Sequence, residues 1–491
     1  MNNLIVMPLL LPLLTAVILV FFYKNVTIQR WISTVSAVSN TALAAYLVYR
    51  VHHDGILTLN MGGWAAPYGI VFVADMFSVL LVLAATIVIT CCLLYSFRTI
   101  GEERERFFYY PLFNFLAVGI IGSFLTGDMF NLFVCFEVML MSSYGLIVLG
   151  GTKRQLRESI KYILTNVISS TLFVVAMAYL YGVLGTLNLA HLSLLVAEAG
   201  QTGILTIISA LFLIVFGLKA GLLLFFWMPG SYNAPPSPVM ALFSGLLTKV
   251  GMYAIIRTFT LIFYHEPTIT HTLIAWMAVA TSILGVAGAV AYRDVNRIMI
   301  YNIVAGVGFT MFGLSVANKA ALEGVIYYLM HDMIVKALLF MLGGALIMVA
   351  GTVKVYEMGG LKRRYPTLGW MFFVTSLALV GVPPLSGFIG KLLIVQGGFE
   401  SGKYLLTAIA LGSSLLVLYS MMKIFMNSFW GAEKRDYPEG VKVGGVLLPS
   451  GILLVTAIML GLFAESLYPL VSSAAEVLLN PQLYIQAVLK E

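Results

Sequence analysis

Residues 216–251 read FGLKAGLLLFFWMPGSYNAPPSPVMALFSGLLTKVG and form two apolar runs joined by a proline-rich turn. Lys219 lies in the first run and Lys249 in the second. A lysine near the centre of a membrane-spanning helix costs roughly 2.5–3.5 kcal/mol on insertion scales. Two such lysines, one on each arm of a helical hairpin, therefore predict a buried polar path through a membrane protein.

The competing interpretation is that these lysines extend along their helices until the ammonium groups reach the lipid headgroups. Lys249 lies too deep in the apolar run of residues 239–264 for this to be easy. Lys219 follows an apolar run of similar length that begins at Ile204. Since charge inside a membrane usually marks a functional route, the sequence favours an interior position for both lysines.

The composition is that of a polytopic membrane protein. The chain has 491 residues, of which 60% are hydrophobic and only 10% charged, and its mean hydropathy is +0.98. A soluble domain would lack the polar surface to cover such a core. The basic pI of about 9.1 arises from short loops between spans, so it indicates topology rather than nucleic-acid binding.

Apolar windows of about twenty residues predict fourteen membrane spans in an all-α chain. They lie near residues 3–22, 31–49, 70–95, 107–126, 129–150, 162–184, 204–227, 239–264, 272–291, 298–317, 321–350, 368–398, 404–429 and 444–464. The first is expected to be a span rather than a cleaved signal peptide, because no basic residue precedes it. With this count, loops on one side carry most of the loop Lys and Arg residues, whereas the other side holds only Arg50, Lys319, Lys403 and Lys490. The positive-inside rule then places the basic loops in the cytoplasm and both termini outside.

Several ionisable residues remain within the predicted spans. The cations are Lys219, Lys249, Arg257, Lys336, Lys391 and Lys423, and they are joined by Asp75, Glu137, His331 and Asp332. Arg257 and Lys423 lie nearer helix ends, so they are expected to reach the interface and to stay off the path. Asp75, near the outer end of its span, is equally compatible with an interfacial position and a functional one. The others are expected to face one another and water.

Two of the predicted spans contain helix breakers. In the seventh, Gly217 and Gly221 bracket a lysine, and in the twelfth Pro383, Pro384 and Gly387 precede Lys391. Non-helical backbone at membrane depth is tolerated only where it is buried in protein or lines a wet cavity. Paired interrupted helices are typical of transporter sites.

The eleventh span carries His331 and Lys336, which are five residues apart and thus about 140° apart on an ideal helix. They are expected to serve different neighbours. The segment after Glu465 has amphipathic helical character up to Pro481 and is expected on the outer surface or against a partner. Cys91, Cys92 and Cys135 lack ligand spacing and the histidines form no metal pattern, so no cofactor or metal is predicted.

These polar positions, with the stretches DMFNLFVCFEVMLMSSYGLIVLGG, NAPPSPVMALFSGLLTKVG and GVPPLSGF, resemble the antiporter-like subunits shared by Mrp-type Na+/H+ antiporters, respiratory complex I and membrane-bound hydrogenases. The length and the first stretch are most similar to the D-type subunits of bacterial Mrp antiporters. The resemblance implies a bacterial cytoplasmic membrane location and partners of the Mrp subunit types A, B, C, E, F and G. It also implies two inverted five-helix repeats with broken helices 7 and 12. The corresponding regions are residues 1–106, 107–264, 265–430 and 431–491.

The sequence and the resemblance together predict a proton path that crosses the bilayer midplane and is coupled to sodium extrusion. Its residues are Glu137, Lys219, Lys249, His331, Lys336 and Lys391. Glu137 is expected to modulate Lys219, and Lys391 to pass the proton to one aqueous side. Two alternatives stay open: a proton-pumping subunit of a complex I-like oxidoreductase or hydrogenase, and a structural subunit that only docks others. As a subunit of a secondary transporter the chain is not expected to be an enzyme, and this stays open only for the complex I-like alternative.

Overall fold

The computed structural model describes residues 3–201, 203–438 and 440–490, and it is mostly helical. The elements up to residue 261 are α1 (Met7–Phe21), α2 (Val26–Asp54), β1 (Leu57–Asn60), β2 (Val71–Ala74), α3 (Met76–Thr99), α4 (Glu102–Glu105), α5 (Tyr109–Leu125), α6 (Met129–Val148), α7 (Lys153–Leu184), α8 (Leu189–Ala199), α9 (Ile204–Ala220), α10 (Met228–Ser231), α11 (Ser237–Leu242) and α12 (Thr248–Leu261).

The remaining helices are α13 (Thr270–Ala291), α14 (Val295–Val316), α15 (Lys319–Ala350), α16 (Leu361–Arg364), α17 (Pro366–Val380), α18 (Ser386–Glu400), α19 (Tyr404–Phe429), α20 (Gly444–Leu462), α21 (Ala464–Leu479) and α22 (Pro481–Leu489). A π-helical turn, Phe243–Leu247, joins α11 to α12. Short 3-10 turns lie at Asn3–Val6, Met61–Gly63 and Val355–Glu357.

The described part of the chain contains eleven helices that are long and apolar enough to cross a membrane, with Ser237–Leu261 counted as one. Tyr109–Leu125, Ile204–Ala220 and Pro366–Val380 are apolar but shorter. These lengths identify a multi-pass membrane protein, because about twenty apolar residues are needed for one helical crossing.

The expectation of an all-α chain is wrong at one place. Strands β1 and β2 pair antiparallel, with Leu57 opposite Ala74. The third predicted span therefore begins as a strand, and its helix starts only at Met76. The helix starts there because the Asp75 carboxylate accepts the amide of Ser78 (2.9 Å) and satisfies an otherwise free donor.

Two helices begin in the same way in different parts of the chain. Asp128 caps α6 and Asp294 caps α14, each accepting the amide three residues further on (2.8 and 3.2 Å). Asp128 also forms an isolated antiparallel bridge with Asn188, and Asp294 forms one with Lys354. The Asp128 bridge joins the start of α6 to the segment after α7, and the Asp294 bridge joins the start of α14 to the segment after α15. Helices α7 and α15 each have 32 residues.

The first interrupted helix ends just past Lys219. Helix α9 stops at Gly221, whose φ of +77° lies in the left-handed region that glycine enters without steric cost. The amides of Gly221 and Leu222 both donate to the carbonyl of Gly217 (2.9 Å each). The expected break at Gly217 is therefore wrong, since this residue lies within the last turn of α9.

The second interruption separates α17 from α18. Helix α17 stops at Gly381, which has a φ of +91°. Pro383 and Pro384 lie in the non-helical connection, where the absence of an amide donor breaks no helical hydrogen bond. The expected break at Gly387 is wrong, because this residue belongs to the first turn of α18. A Cβ at Gly387 would lie 2.9 Å from Nε2 of His331, so the position requires a residue without a side chain.

The most enclosed elements are α12 and α15. Every residue of α12 is buried, and α15 is buried along most of its 32 residues. A helix that is buried on all sides lies in the centre of a helix bundle. Polar side chains on α12 and α15 are consequently removed from both lipid and bulk water.

The segment after α20 packs against the chain itself. Helix α21 contacts α3 and α15, and α22 contacts α8. Helical structure resumes at Pro481, where the amphipathic pattern was expected to end. Tyr484 of α22 is almost completely buried, with the guanidinium of Arg257 5.2 Å from its ring centre.

Candidate functional site

The structure brings most of the ionisable side chains within the spans into the enclosed centre of the helix bundle. Each of the following is less than one-tenth exposed: Lys219, Lys249, His331, Asp332, Lys336 and Lys391. Glu137 is only partly buried. Buried charge is stable only when it is paired or hydrogen-bonded, so the partners of these groups define what the site can do.

Glu137 and Lys219 are connected through a hydroxyl that the sequence pattern did not identify. Ser170 of α7 donates to Oε1 of Glu137, and Lys219 Nζ donates to Ser170 Oγ over 3.4 Å. The ammonium also lies 4.9 Å from the ring centre of Phe136, a favourable cation–π position. We call Glu137, Ser170 and Lys219 the amino-terminal link.

The end of α9 is held against α12 by the absence of a side chain. A Cβ at Gly251 would lie 2.6 Å from the amide nitrogen of Ala220 and 2.9 Å from the carbonyl carbon of Lys219. No real Cβ tolerates the shorter distance. Gly251 therefore allows the interrupted end of α9, with its lysine, to pack directly on the helix that carries Lys249.

Lys249, Asp332 and Lys336 form a buried group that we call the central triad. Lys249 Nζ lies 2.9 Å from Oδ2 of Asp332, and Lys336 Nζ lies 3.8 Å from Oδ1. All three side chains are essentially inaccessible. One carboxylate thus faces two ammonium groups, and charging one lysine disfavours charge on the other.

Backbone carbonyls complete the hydrogen bonding of both lysines. Lys249 Nζ donates to the carbonyl of Ser244 (2.7 Å), which lies in the π-helical turn where the regular helical ladder is interrupted. Lys336 Nζ donates to the carbonyl of Asn302 on α14 (2.7 Å). Each ammonium is therefore held in place without a carboxylate of its own.

His331 and Lys336 contact different neighbours. His331 Nδ1 lies 2.7 Å from Oγ of Ser386 at the start of α18. Nε2 of His331 is buried and has no hydrogen-bond partner among residues 3–201, 203–438 and 440–490. Nδ1 is thus held by the second interrupted helix, and Nε2 remains available for a further hydrogen bond.

Lys391 lies at the second interruption, on the α18 side. Its Nζ donates to the carbonyl of Val380, the last residue of α17 (2.7 Å), and to Ser414 Oγ (3.1 Å). A cation at a helix carboxyl end satisfies a free carbonyl and compensates the negative end of the helix dipole. Lys219 instead lies in α9, before the first interruption. One lysine therefore precedes its interruption and the other follows it.

Asp332 is the residue of the central triad that the sequence pattern did not place on the path. The spacing of the sequence is nevertheless sufficient to predict one of its partners, Lys336. Asp332 and Lys336 are four residues apart, so they share a helix face. Their pairing with α12 could not have been found in this way, because it depends on how the helices pack.

The expectation for Arg257 is wrong. This side chain does not reach the membrane interface, since it is only 4% exposed. It forms a two-fold ion pair with Asp75, with nitrogen–oxygen distances of 2.7 and 2.8 Å. Asp75 is fully buried, so the interfacial interpretation of that residue is wrong as well. The rings of Phe77, Tyr253 and Tyr484 surround the guanidinium.

Lys423 is expected near the interface and off the path, and its ammonium lies at the end of a helix. Its ammonium donates to the carbonyls of Val290 (2.8 Å) and Tyr292 at the end of α13. The side chain is 9% exposed. Lys423 therefore caps a helix, and its contacts give it no direct bond to the central triad or to the amino-terminal link.

The residues that the structure describes contain no group of three or more His, Cys, Asp or Glu side chains that could hold a metal ion. Cys91, Cys92 and Cys135 are buried free thiols. The chemistry available in the enclosed centre is therefore that of amines, carboxylates, an imidazole and hydroxyls.

Comparison with known proteins places this arrangement in a family. Residues 126–417 match the family described as NADH:quinone oxidoreductase/Mrp antiporter, TM. The D subunit of the Na+/H+ antiporter of Bacillus subtilis (strain 168) is 52% identical over 493 residues, which cover 100% of both chains.

Two solved structures have the same fold. A chain of the Mrp complex from Dietzia sp. DQ12-45-1b aligns with a TM-score of 0.92 at 29% identity, covering 100% of both chains. A chain of the membrane-bound sulfane sulfur reductase, an archaeal respiratory membrane complex, aligns with a TM-score of 0.90 at 26% identity, covering 99% of both. The family model and the full-length relative show that this chain belongs to the NADH:quinone oxidoreductase/Mrp antiporter transmembrane family.

Proposed function

We propose that this chain is the proton-translocating subunit of a multisubunit Na+/H+ antiporter and moves protons along a buried axis coupled to sodium extrusion. The observation that carries the proposal is the central triad, in which two buried lysines share one carboxylate. Such an arrangement is costly for stability alone, because apolar residues of similar size would fill the space at least as well. Its presence is explained if protons exchange between the groups.

The amino-terminal link would act as the switch of this axis. A hydroxyl both donates and accepts hydrogen bonds, so Ser170 transmits the charge state of Glu137 to Lys219. Burial eases release of a proton from an ammonium, whereas a nearby carboxylate opposes it. Movement of Glu137 relative to Ser170 would then change how readily Lys219 releases its proton.

The central triad would act as the relay. A proton that arrives on Lys249 increases the positive charge around Asp332 and favours loss of a proton from Lys336. His331 and Lys391 lie beyond the triad, each held by the second interrupted helix. Lys391 would pass the proton toward one aqueous side. The steps between these groups require water, as no direct hydrogen bond joins the described side chains of Lys336, His331 and Lys391.

We infer fourteen transmembrane helices arranged as two inverted five-helix repeats, residues 107–264 and 265–430, between end regions 1–106 and 431–491. Matched features of the chain support this. The isolated bridges of Asp128 and Asp294 are displaced by the same 166 residues, from 128 to 294 and from 188 to 354. Helices α7 and α15 both have 32 residues, and α15 starts 166 residues after α7. An interrupted helix comes later in the chain in each case, α9 after α7 and α17 after α15.

We propose a bacterial cytoplasmic membrane location with both termini outside, because the loops rich in Lys and Arg then face the cytoplasm. Partners would be Mrp-type subunits A, B, C, E, F and G. This follows from the relative named as an antiporter subunit and from the fold match to a chain of an Mrp complex. The chain would act as a transporter subunit and not as an enzyme.

A second candidate is a proton-pumping subunit of a respiratory complex. It is favoured by the 0.90 TM-score to a chain of the sulfane sulfur reductase. The 52% identity to an antiporter subunit over the full length favours the first candidate. Purification of the native complex separates them, since iron–sulfur partner subunits would indicate the respiratory function.

The test of the proposed function is sodium-dependent proton flux in everted membrane vesicles that contain the assembled complex. We expect Glu137→Ala and Lys219→Ala to abolish antiport, and Lys391→Ala to be equally harmful. Matched controls are Glu198→Ala and Lys153→Ala, which alter exposed side chains. Unchanged antiport in the Glu137 and Lys219 variants would overturn the proposal. A purely structural subunit would instead give charge-neutral variants that fail to assemble.

A further inference from the structure

The carboxylate of Glu323 is a buried group that the proposed axis does not use. It lies in the first turns of α15, and the residue is only 2% exposed. Tyr468 of α21 donates its hydroxyl to Oε2 (2.8 Å). Oε1 has no hydrogen-bond partner in the described ranges, and the nearest ammonium, that of Lys319, is 4.0 Å away.

Glu323 shares a helix face with His331. Residues 323, 327 and 331 follow one another at intervals of four, so Glu323, Tyr327 and His331 form one stripe along α15. All three are buried. The hydroxyl of Tyr327 donates to the carbonyl of Leu460. Glu323 and His331 are about 12 Å apart along the helix axis, and each has one buried atom without a partner, Oε1 and Nε2.

Tyr468 of the carboxyl-terminal segment lies on the outward side of Glu323. Tyr468 is 43% exposed, so its hydroxyl lies between a buried carboxylate and the surface. A phenol hydroxyl can donate and accept, and it can rotate away from its partner. The carboxylate is therefore one hydrogen bond from the surface although it has almost no exposure of its own.

We propose that Glu323 is the proton-release residue of this chain, taking protons from His331 through a short file of water and passing them outward past Tyr468. The inference rests on the proposed function and adds the exit to it. The side of release is the end of α15 opposite its basic flanking loop at residues 354–364, which is the outer side under the positive-inside rule. The unprotonated carboxylate accepts the proton and Tyr468 controls its access to water.

The experiment measures sodium-dependent proton flux of the assembled complex in everted vesicles at several pH values. Glu323→Gln keeps the shape of the side chain and an acceptor for the Tyr468 hydroxyl, but the amide cannot take up and release a proton at these pH values. Antiport should therefore fall by roughly 100-fold, the low end of what a positioned proton-transfer group contributes. Glu323→Asp should retain transport with a displaced pH profile. Tyr468→Phe should slow transport with normal assembly. Glu465→Gln, an exposed carboxylate of the same segment, is the matched control and should be unaffected.

Full antiport in Glu323→Gln overturns this inference and leaves the proposed function standing. So does an unassembled complex in both Glu323 variants, because the carboxylate is then a structural group. If Lys219→Ala is fully active in the same vesicles, the proposed function itself fails. A loss in Glu323→Gln together with an altered pH profile in Glu323→Asp supports release through this residue, because a purely structural role would leave the profile unchanged.

Discussion

At the scale of single residues, the proposed proton path depends on how buried charges are shared. Glu137 and Lys219 each contact Ser170, and Asp332 is shared by two lysines. Such contacts are neither strong isolated ion pairs nor free charges. Groups coupled in this way titrate together rather than singly, as the proposed transfer of protons requires.

Removal of the Ser170 hydroxyl should uncouple the amino-terminal link. In Ser170→Ala we expect antiport to fall about tenfold to a hundredfold, the rate equivalent of the roughly 1.5–3 kcal/mol of a hydrogen bond to a charged group. Ser170→Thr keeps the hydroxyl and should retain most activity. Thr171→Val is the control, because the Thr171 hydroxyl bonds only its own helix. The measurement is sodium-dependent proton flux in everted vesicles. Equal activity of Ser170→Ala and wild type would contradict a coupling of Glu137 to Lys219 through this hydroxyl.

Loss of the Asp332 carboxylate should affect both stability and transport. Asp332→Asn leaves two buried lysines without a counter-charge, and breaking such a group costs about 3–5 kcal/mol. The apparent Tm of the detergent-solubilised complex should fall clearly, and antiport should be lost. Asp436→Asn, in an exposed loop, should change neither. An unchanged Tm in Asp332→Asn would show that the triad does not stabilise the fold.

At the scale of helices, the interruptions position the lysines. Much of this could be predicted from sequence, since the Gly and Pro residues of the seventh and twelfth spans identify both interrupted segments. The detailed break positions could not, because Gly217 and Gly387 are adjacent to the interruptions but remain helical. The decisive factor is which glycine adopts a positive φ, namely Gly221 and Gly381, and the sequence alone does not reveal it.

The contact between α9 and α12 should be sensitive to a single methyl group. In Gly251→Ala the new Cβ would meet the backbone of Ala220 at 2.6 Å, and overpacking of this kind costs about 1–3 kcal/mol. We expect a lower apparent Tm and weaker antiport. Gly182→Ala is the matched control, because no atom lies within 4 Å of the added Cβ in α7. Equal melting temperatures for the two variants would contradict the close approach.

At the scale of the whole molecule, distant parts of the sequence are connected by buried charge. The multi-pass class could be predicted from composition, because it reflects the transfer of single side chains between water and lipid. The pairing of Arg257 with Asp75 could not, since Arg257 lies near a helix end in sequence but under α22 in space. The contacts of α21 with α3 and α15 could not be predicted either, because helix packing is a long-range property.

Substitutions of Asp75 and Arg257 should have strongly non-additive effects on the stability of the chain. Asp75→Asn or Arg257→Met alone leaves one buried charge uncompensated and should destabilise the chain by about 3–5 kcal/mol. The double variant should be closer to wild type than either single variant, because coupled residues do not contribute independently. Thermal melting of the purified complex measures this. Effects that simply add would show that the two groups do not act as a pair.

The packing of Tyr484 over Arg257 has a consequence for biogenesis. The ribosome completes α3 and α12 long before it makes α22, so the guanidinium enters the bilayer without its final cover. The nascent protein must hold this charge with Asp75 and local water until translation ends. Chains terminated just before α22 should therefore be preferred substrates of membrane quality-control proteases, even though every long membrane-crossing helix has already been inserted.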